Sequence, residues 1–252
     1  MSNQQNTTGA EDTFISHLIE LRNCILKSSV AVILVFLCLM PWAGTIYDLL
    51  AYPMMIALPA GSKMIATGVI TPFLIPVKVT LLVAFLIALP WVLYQVWSFI
   101  APGLYSHEKK LVAPLVISSS LLFLIGIAFC YFLVFGVVFR FVNDFAPASI
   151  SVAPDIDSYF GFVMTMFIAF GLTFEVPIVV IVLVRMGLVT VERLKEVRPY
   201  VIVGAFVIAA IVTPPDVMSQ LLLAIPLCLL YEVGLLIAPL FAKMTAAPEE
   251  AA

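Results

Sequence analysis

Three glutamates carry most of the chemistry this sequence can do: Glu20, Glu108 and Glu175. Glu20 lies in TFISHLIELRNC, at the threshold of a long apolar run. On a helix it shares a face with the residues three and four positions away, which are Ser16, His17, Asn23 and Cys24. None is a permanent cation, and Arg22, two positions on, projects roughly 200° around the helix. Glu108, in GLYSHEKK, has Leu104, Tyr105, Leu111 and Val112 at the same spacings. Two carboxylates thus lack a local ion-pair partner. Either they are solvated at an interface or they await a cation from elsewhere.

Glu175, in FGLTFEVP, is different in kind. It lies 17 residues into the apolar run that starts at Ser158, without a cation among Gly171, Leu172, Ile178 and Val179. A carboxylate so placed is expected to face a cavity or the bundle interior. Asp216 follows two prolines and is expected to cap a helix. Lys78 is expected to snorkel to a membrane surface. The role of Glu232 is left open.

Other chemistry is missing. HEKKL at 107–111 begins like the zinc-protease pattern H-E-x-x-H, but Leu111 stands where the second ligand belongs. The other histidine is His17, and no G-x-x-x-x-G-K-[ST] loop occurs. Neither a metal site, a cofactor nor an enzymatic activity is expected. Energy for any work must come from a membrane potential, a proton gradient or a partner. The four cysteines, Cys24, Cys38, Cys130 and Cys228, all lie in apolar sequence and are expected as reduced thiols.

These residues must be positioned by membrane helices. Of 252 residues, 63% are hydrophobic and 11% charged, and the mean hydropathy is +1.19. Soluble domains run at about 45–50% apolar and 25% charged. The class is therefore an all-α polytopic membrane protein, not a β-barrel with its short alternating strands. A net charge of −3 gives no reason to expect a nucleic-acid partner. No cleavable signal peptide is expected.

Uncharged runs predict six transmembrane helices in a single membrane domain over 1–252, at about 28–47, 79–106, 111–139, 158–184, 199–212 and 217–242. A segment 1–27 precedes them and a tail 243–252 follows. Both short C-terminal helices, the fifth and the sixth, are expected to sit poorly in an unthinned bilayer. The fifth gives only about 21 Å of helix, against a hydrocarbon core of about 30 Å. With the N-terminus inside, nine Lys and Arg residues fall on the cytoplasmic side, while Lys63, Lys78 and Arg140 fall outside. That asymmetry predicts both termini inside.

The long outer loop 48–77 holds Pro53, Pro59, Pro72 and Pro76, which are expected to limit regular structure. The link 185–198 has room for a helical turn or two. Pro90, Pro114, Pro177 and Pro226 fall inside spans and tend to kink them. Two readings remain: ordinary membrane-helix prolines, or a curved bundle with a concave, glove-like face.

Several motifs together resemble the TatC family, the core subunit of the twin-arginine protein translocase. They are HLIELR at 17–22, IATGVITPF at 65–73, YQVWSFIAPGLYSHEKK at 94–110, FGLTFEVP at 170–177, RPYVIVGAF at 198–206 and TPPDVMSQ at 213–220. The resemblance covers roughly residues 10–242. It implies a bacterial inner-membrane receptor for twin-arginine signal peptides of folded cargo. It also implies TatB-like and TatA-like single-span partners, further copies of the chain, and export driven by the proton-motive force. Glu20 and Glu108 match the family's signal-binding glutamates, and Glu175 its intramembrane carboxylate. Thr213 and Gln220 match a polar patch associated with partner-helix docking. In an apolar helix, Gln220 can equally well bond within its own chain. Lys109 and Lys110 stand where arginines are frequent in relatives; they keep the charge but lack the planar fork of arginine. The alternative function is a proton-coupled small-solute carrier using Glu175.

Overall fold

The computed structural model describes residues 5–58, 63–100, 112–145, 153–213 and 216–242. Its helices follow from the solvent: in hydrocarbon every backbone N–H and C=O needs an internal partner, and an apolar segment meets that need as a helix. α1 spans Gln5–Leu39 and ends where Pro41 enters a 3-10 turn, Met40–Trp42. α2 (Ala43–Ala57) follows directly. α3 is Thr71–Ile100 and α4 is Val112–Phe129. A π-helical turn, Cys130–Val134, joins α4 to α5 (Phe135–Asp144). α6 is Ile156–Arg185, α7 Val191–Glu196, α8 Arg198–Val212 and α9 Val217–Ala242. Among the described residues, the only bridge outside the helices pairs Ile65 with Asp155.

Among the described residues, five stretches are long and apolar enough to cross a membrane: His17–Ile56, Thr71–Ile100, Val112–Val142, Ile156–Arg185 and Val217–Leu240. Arg198–Val212 is the shorter sixth. α9 occupies the stretch 217–242 given for the sixth helix and runs for 26 residues straight through Pro226 and Pro239. The expectation of an irregular loop 48–77 is corrected. α2 occupies its first part, and α3 begins at Thr71, eight residues before the predicted span. Pro72 falls in the first turn of α3, where a missing N–H costs no helical bond.

The core has two ends. At one, Phe135, Phe160 and Phe170 are fully buried with Ile75, Val79 and Met166. Ring centroids there lie 5.4 Å apart for Phe135–Phe167 and 5.8 Å for Phe129–Phe170. At the other end, Trp97, Val116, Ile178 and Val182 pack α3, α4 and α6 together. Tyr231, Leu235 and Ala238 of α9 pack there on Leu194 of α7 and Val180 of α6. Between the ends α4 and α6 approach closely: a Cβ on Gly126 would lie 2.6 Å from the Phe170 carbonyl oxygen. Small residues permit such contact between membrane helices.

α6 closes with a Schellman motif. Gly187 has φ +67°, its N–H reaches the Val184 carbonyl at 3.0 Å, and the Leu188 N–H reaches the Leu183 carbonyl at 3.2 Å. Thr190 then caps α7 through the Arg193 N–H, so the expected helical turn is present in this link.

Candidate functional site

α1 lies along α3, and the middle of α1 and the last turns of α3 border a groove of about 630 Å³. Glu20, Asn23, Cys24 and Lys27 line it from α1 at a helical spacing of three and four. Trp91, Tyr94, Gln95, Ser98 and Phe99 line it from α3 in the same rhythm. The Glu20 side chain is 58% exposed, and its Oε2 lies 3.7 Å from His17 Nδ1. The His17 ring stacks on Phe99 at 4.4 Å and 24°. Among the described residues, Glu20 has no lysine or arginine bridge, as its same-face neighbours predict. Lys27, one further turn along the face, shares the groove. Extending the spacing count to i+7 would have found it.

Glu108 lies outside the described residues, as do its neighbours 101–111. Glu175 lies well inside α6, 9% exposed. One carboxyl oxygen, Oε1, has no hydrogen-bond partner among the described residues, and Ser119 of α4 lies beside the carboxyl. Ser119 Oγ in turn accepts from the Trp97 indole N–H of α3 at 3.1 Å. Sequence reading found Glu175 but neither of these neighbours. A serine and a tryptophan in apolar helices are ordinary core residues until the packing is known.

At the α8–α9 turn, buried Thr213 donates through Oγ1 to the Ala209 carbonyl at 2.8 Å. Gln220 Nε2 donates to the Phe206 carbonyl at 3.2 Å. Of the two uses open to that amide, the bond within the chain is present. Asp216 caps α9 as expected, accepting from the Ser219 N–H at 2.6 Å.

Glu232, whose role the sequence left open, accepts from Arg198 at 2.7 Å and ties the start of α8 to α9. The signal was available. Arg198 stands 16 residues before Pro214 and Glu232 stands 17 after Pro215, so an antiparallel hairpin brings them level.

Lys78 does not simply snorkel: its Nζ lies 3.1 Å from Asp157. Beside it Asp155 caps α6 by accepting from the Ser158 N–H, and it also accepts from the Thr67 hydroxyl and N–H at 2.9 and 3.1 Å. These bonds hold its carboxyl below the usual value, the Ser158 N–H foremost. The four cysteines are free thiols, and no group of metal-ligating side chains occurs among the described residues.

A family model described as Sec-independent protein translocase protein (TatC) matches residues 16–226. The chain belongs to the TatC family. The TatC protein of Escherichia coli K12 is 53% identical over 226 residues, 89% of this chain and 88% of that one. The TatC protein of Halothiobacillus neapolitanus is 52% identical over 230 residues, 91% of this chain but 63% of that longer relative. A crystal structure of a twin arginine translocase receptor, TatC, superposes with a TM-score of 0.79 at 40% identity. It covers 89% of this chain and 99% of that one. The TatC family is a protein translocase component and not a family of catalysts. The all-helical, multi-span architecture described above is that of TatC.

Proposed function

We infer that the groove beside Glu20 receives the paired arginines of a twin-arginine signal peptide, with Glu108 as the second acceptor. One observation carries this reading: a half-exposed carboxylate in an open groove, beside aromatic side chains and without an arginine or lysine bridge among the described residues. A guanidinium fits such a place in two ways. Its planar fork pairs a carboxylate bidentately, and its face stacks on rings such as those of Trp91, Tyr94 and Phe99. Lysine does neither, so twin lysine is a poor substitute.

In this reading the chain is the receptor core of an inner-membrane complex. It lies with both termini in the cytoplasm, on the side favoured by nine of its twelve Lys and Arg residues. TatB-like and TatA-like helices join it, with Thr213 and Gln220 as their docking positions and Glu175 as an intramembrane functional carboxylate, and further copies of the chain complete the receptor. Folded cargo is exported at the expense of the proton-motive force. α8, with 15 residues, gives about 22 Å of helix and thins the bilayer around it.

The test is export of a folded reporter carrying a twin-arginine signal. Glu20→Ala and Glu108→Ala each reduce export while the protein stays inserted at normal level. Full export by the double variant refutes the reading.

A further inference from the structure

A second pocket, of about 540 Å³, lies where the end of α6 and the turn after it meet α7 and α9. Val184 and Val189 wall it on one side, and Pro239 of α9 on another. Its level in the membrane follows from the spans. Val184 stands one residue before the end of Ile156–Arg185, and Pro239 one before the end of Val217–Leu240. The pocket therefore sits where hydrocarbon gives way to headgroups, and Leu188, 63% exposed in the adjoining turn, meets the same boundary. Thr190, Glu192 and Lys195 supply polar groups to the lining. Glu192 and Lys195 are three residues apart on α7 and share a helix face, yet the bridge on that helix is Arg193–Glu196, at 2.9 Å. Among the described residues, neither the Glu192 carboxylate nor the Lys195 ammonium has a hydrogen-bond or ion-pair partner. Thr190 Oγ1 accepts from the Arg193 N–H at 3.2 Å. Its own hydroxyl proton has no acceptor among the same residues.

We propose that this pocket holds the headgroup of a phospholipid that carries both a phosphate and a primary ammonium, the phosphoethanolamine class. The charges decide the class. A pocket lined only by basic residues selects anionic lipid. Here one carboxylate and one ammonium line the same space, and a headgroup with one charge of each sign leaves neither unpaired. Lys195 and the Thr190 hydroxyl donate to phosphate oxygens, while Glu192 accepts from the lipid ammonium in charge-assisted bonds. A choline headgroup has the same two charges but no N–H to donate. A glycerol headgroup brings the phosphate without a cation for Glu192, and so leaves that carboxylate facing an anion. Val184, Val189 and Pro239 offer an apolar wall to the glycerol and the first methylenes of the chains. The bilayer is the source, because the pocket lies at the level where its headgroups are.

Native mass spectrometry of the full chain in detergent reads the affinity of the first lipid bound. The titrants are phosphatidylethanolamine, phosphatidylcholine and phosphatidylglycerol with identical chains. The unsubstituted protein is expected to bind phosphatidylethanolamine about three- to fivefold tighter than either other lipid, the strength of one exposed charged pair. Glu192→Gln lowers phosphatidylethanolamine to the level of phosphatidylglycerol. Lys195→Gln weakens both of these lipids, and Lys195→Arg restores them. Arg193→Gln, on the same helix but outside the pocket lining, changes none of the three affinities, which separates this site from lipid adhering to other spans. All three side chains are exposed, so the fold is not at stake. Equal binding of the three lipids by the unsubstituted protein overturns the proposal, as does a preference that survives both Glu192→Gln and Lys195→Gln. Glycerophosphoethanolamine, which has the headgroup without the chains, is expected to bind more than about tenfold more weakly, and binding equal to that of the lipid overturns the bilayer as the source.

Discussion

Replacing Tyr131 with phenylalanine tests how α2 tolerates the proline inside it. Each helical N–H donates to the carbonyl four residues back. Pro53 has no N–H, so the Leu49 carbonyl loses its helical donor. Tyr131 supplies one, its hydroxyl lying 2.8 Å from that oxygen. It reaches there from the π-helical turn Cys130–Val134, where one extra residue per turn re-aims the side chains. At the next carbonyl the Tyr159 hydroxyl donates to Leu50 at 2.8 Å. Two tyrosines thus serve consecutive carbonyls beside one proline.

The magnitude follows from what Tyr131→Phe removes: a single hydroxyl, with the ring and its packing kept. An acceptor left unsatisfied in an apolar place costs about 1–3 kcal/mol. Measured couplings inside a membrane bundle are smaller, averaging about 0.6 and reaching about 1.7 kcal/mol. A loss of about 1 kcal/mol is expected. Pro53→Ala restores an N–H able to close the bond to Leu49, so in that background Tyr131→Phe loses much less. Reversible unfolding of the four proteins in mixed micelles, titrated with denaturing detergent, gives the coupling energy directly. A value of about 0.6–1.7 kcal/mol is expected. A coupling within about 0.5 kcal/mol of zero, the scatter of independent sites, refutes the reasoning.

Three further outcomes are expected. Gly126→Ala forces a methyl to within 2.6 Å of the Phe170 carbonyl oxygen and should destabilise by about 1–3 kcal/mol. Gly136→Ala, with nothing within 4 Å, should leave the unfolding midpoint in place, and equal effects at both positions would contradict the close-approach argument. Asp155 is held below its ordinary value of 3.8, so folding favours its charged form. Its contribution is complete above that unfolded value and disappears as pH falls through the lower folded value. Asp155→Asn should flatten this acid limb in a stability–pH profile, and an unchanged limb would exclude Asp155 as its source. The Arg198–Glu232 pair is short but 42% and 43% exposed, so its coupling in a double-mutant cycle should be about 1 kcal/mol or less, and a markedly larger value would contradict the exposure.

What the sequence discloses depends on how local the cause is. Long apolar runs specify helices because the solvent allows no other backbone arrangement, and Asp216 after two prolines specifies a cap. Glu175 stood out because a carboxylate in an apolar run needs a reason. Its neighbours did not, since Ser119, which accepts from Trp97, comes beside it only after α3, α4 and α6 have packed. Lys78 meets Asp157 across 79 residues of chain, and sequence spacing carries no trace of such a meeting. The prolines of 48–77 misled for a different reason: proline breaks a helix interior yet is welcome in a first turn. Which of these applies is set by where the helix starts, the least legible feature of a sequence.

The two ends of the bundle divide the work between them. At the Asp155 end, fully buried phenylalanines, the Asp155 node and two tyrosine bridges to α2 tie α2, α3, α5 and α6 together. At the Glu20 end the groove between α1 and α3 stands open, and Leu18, Ile25 and Val30 of α1 are exposed. A peptide can therefore enter beside Glu20 without breaking the core. The same arrangement limits how its arrival can be felt elsewhere. α1 packs chiefly along α3, and α3 alone both lines the groove and contributes Ile75, Val79 and Trp97 to the packed interior. A load on the walls of this groove therefore passes to the packed interior through that helix.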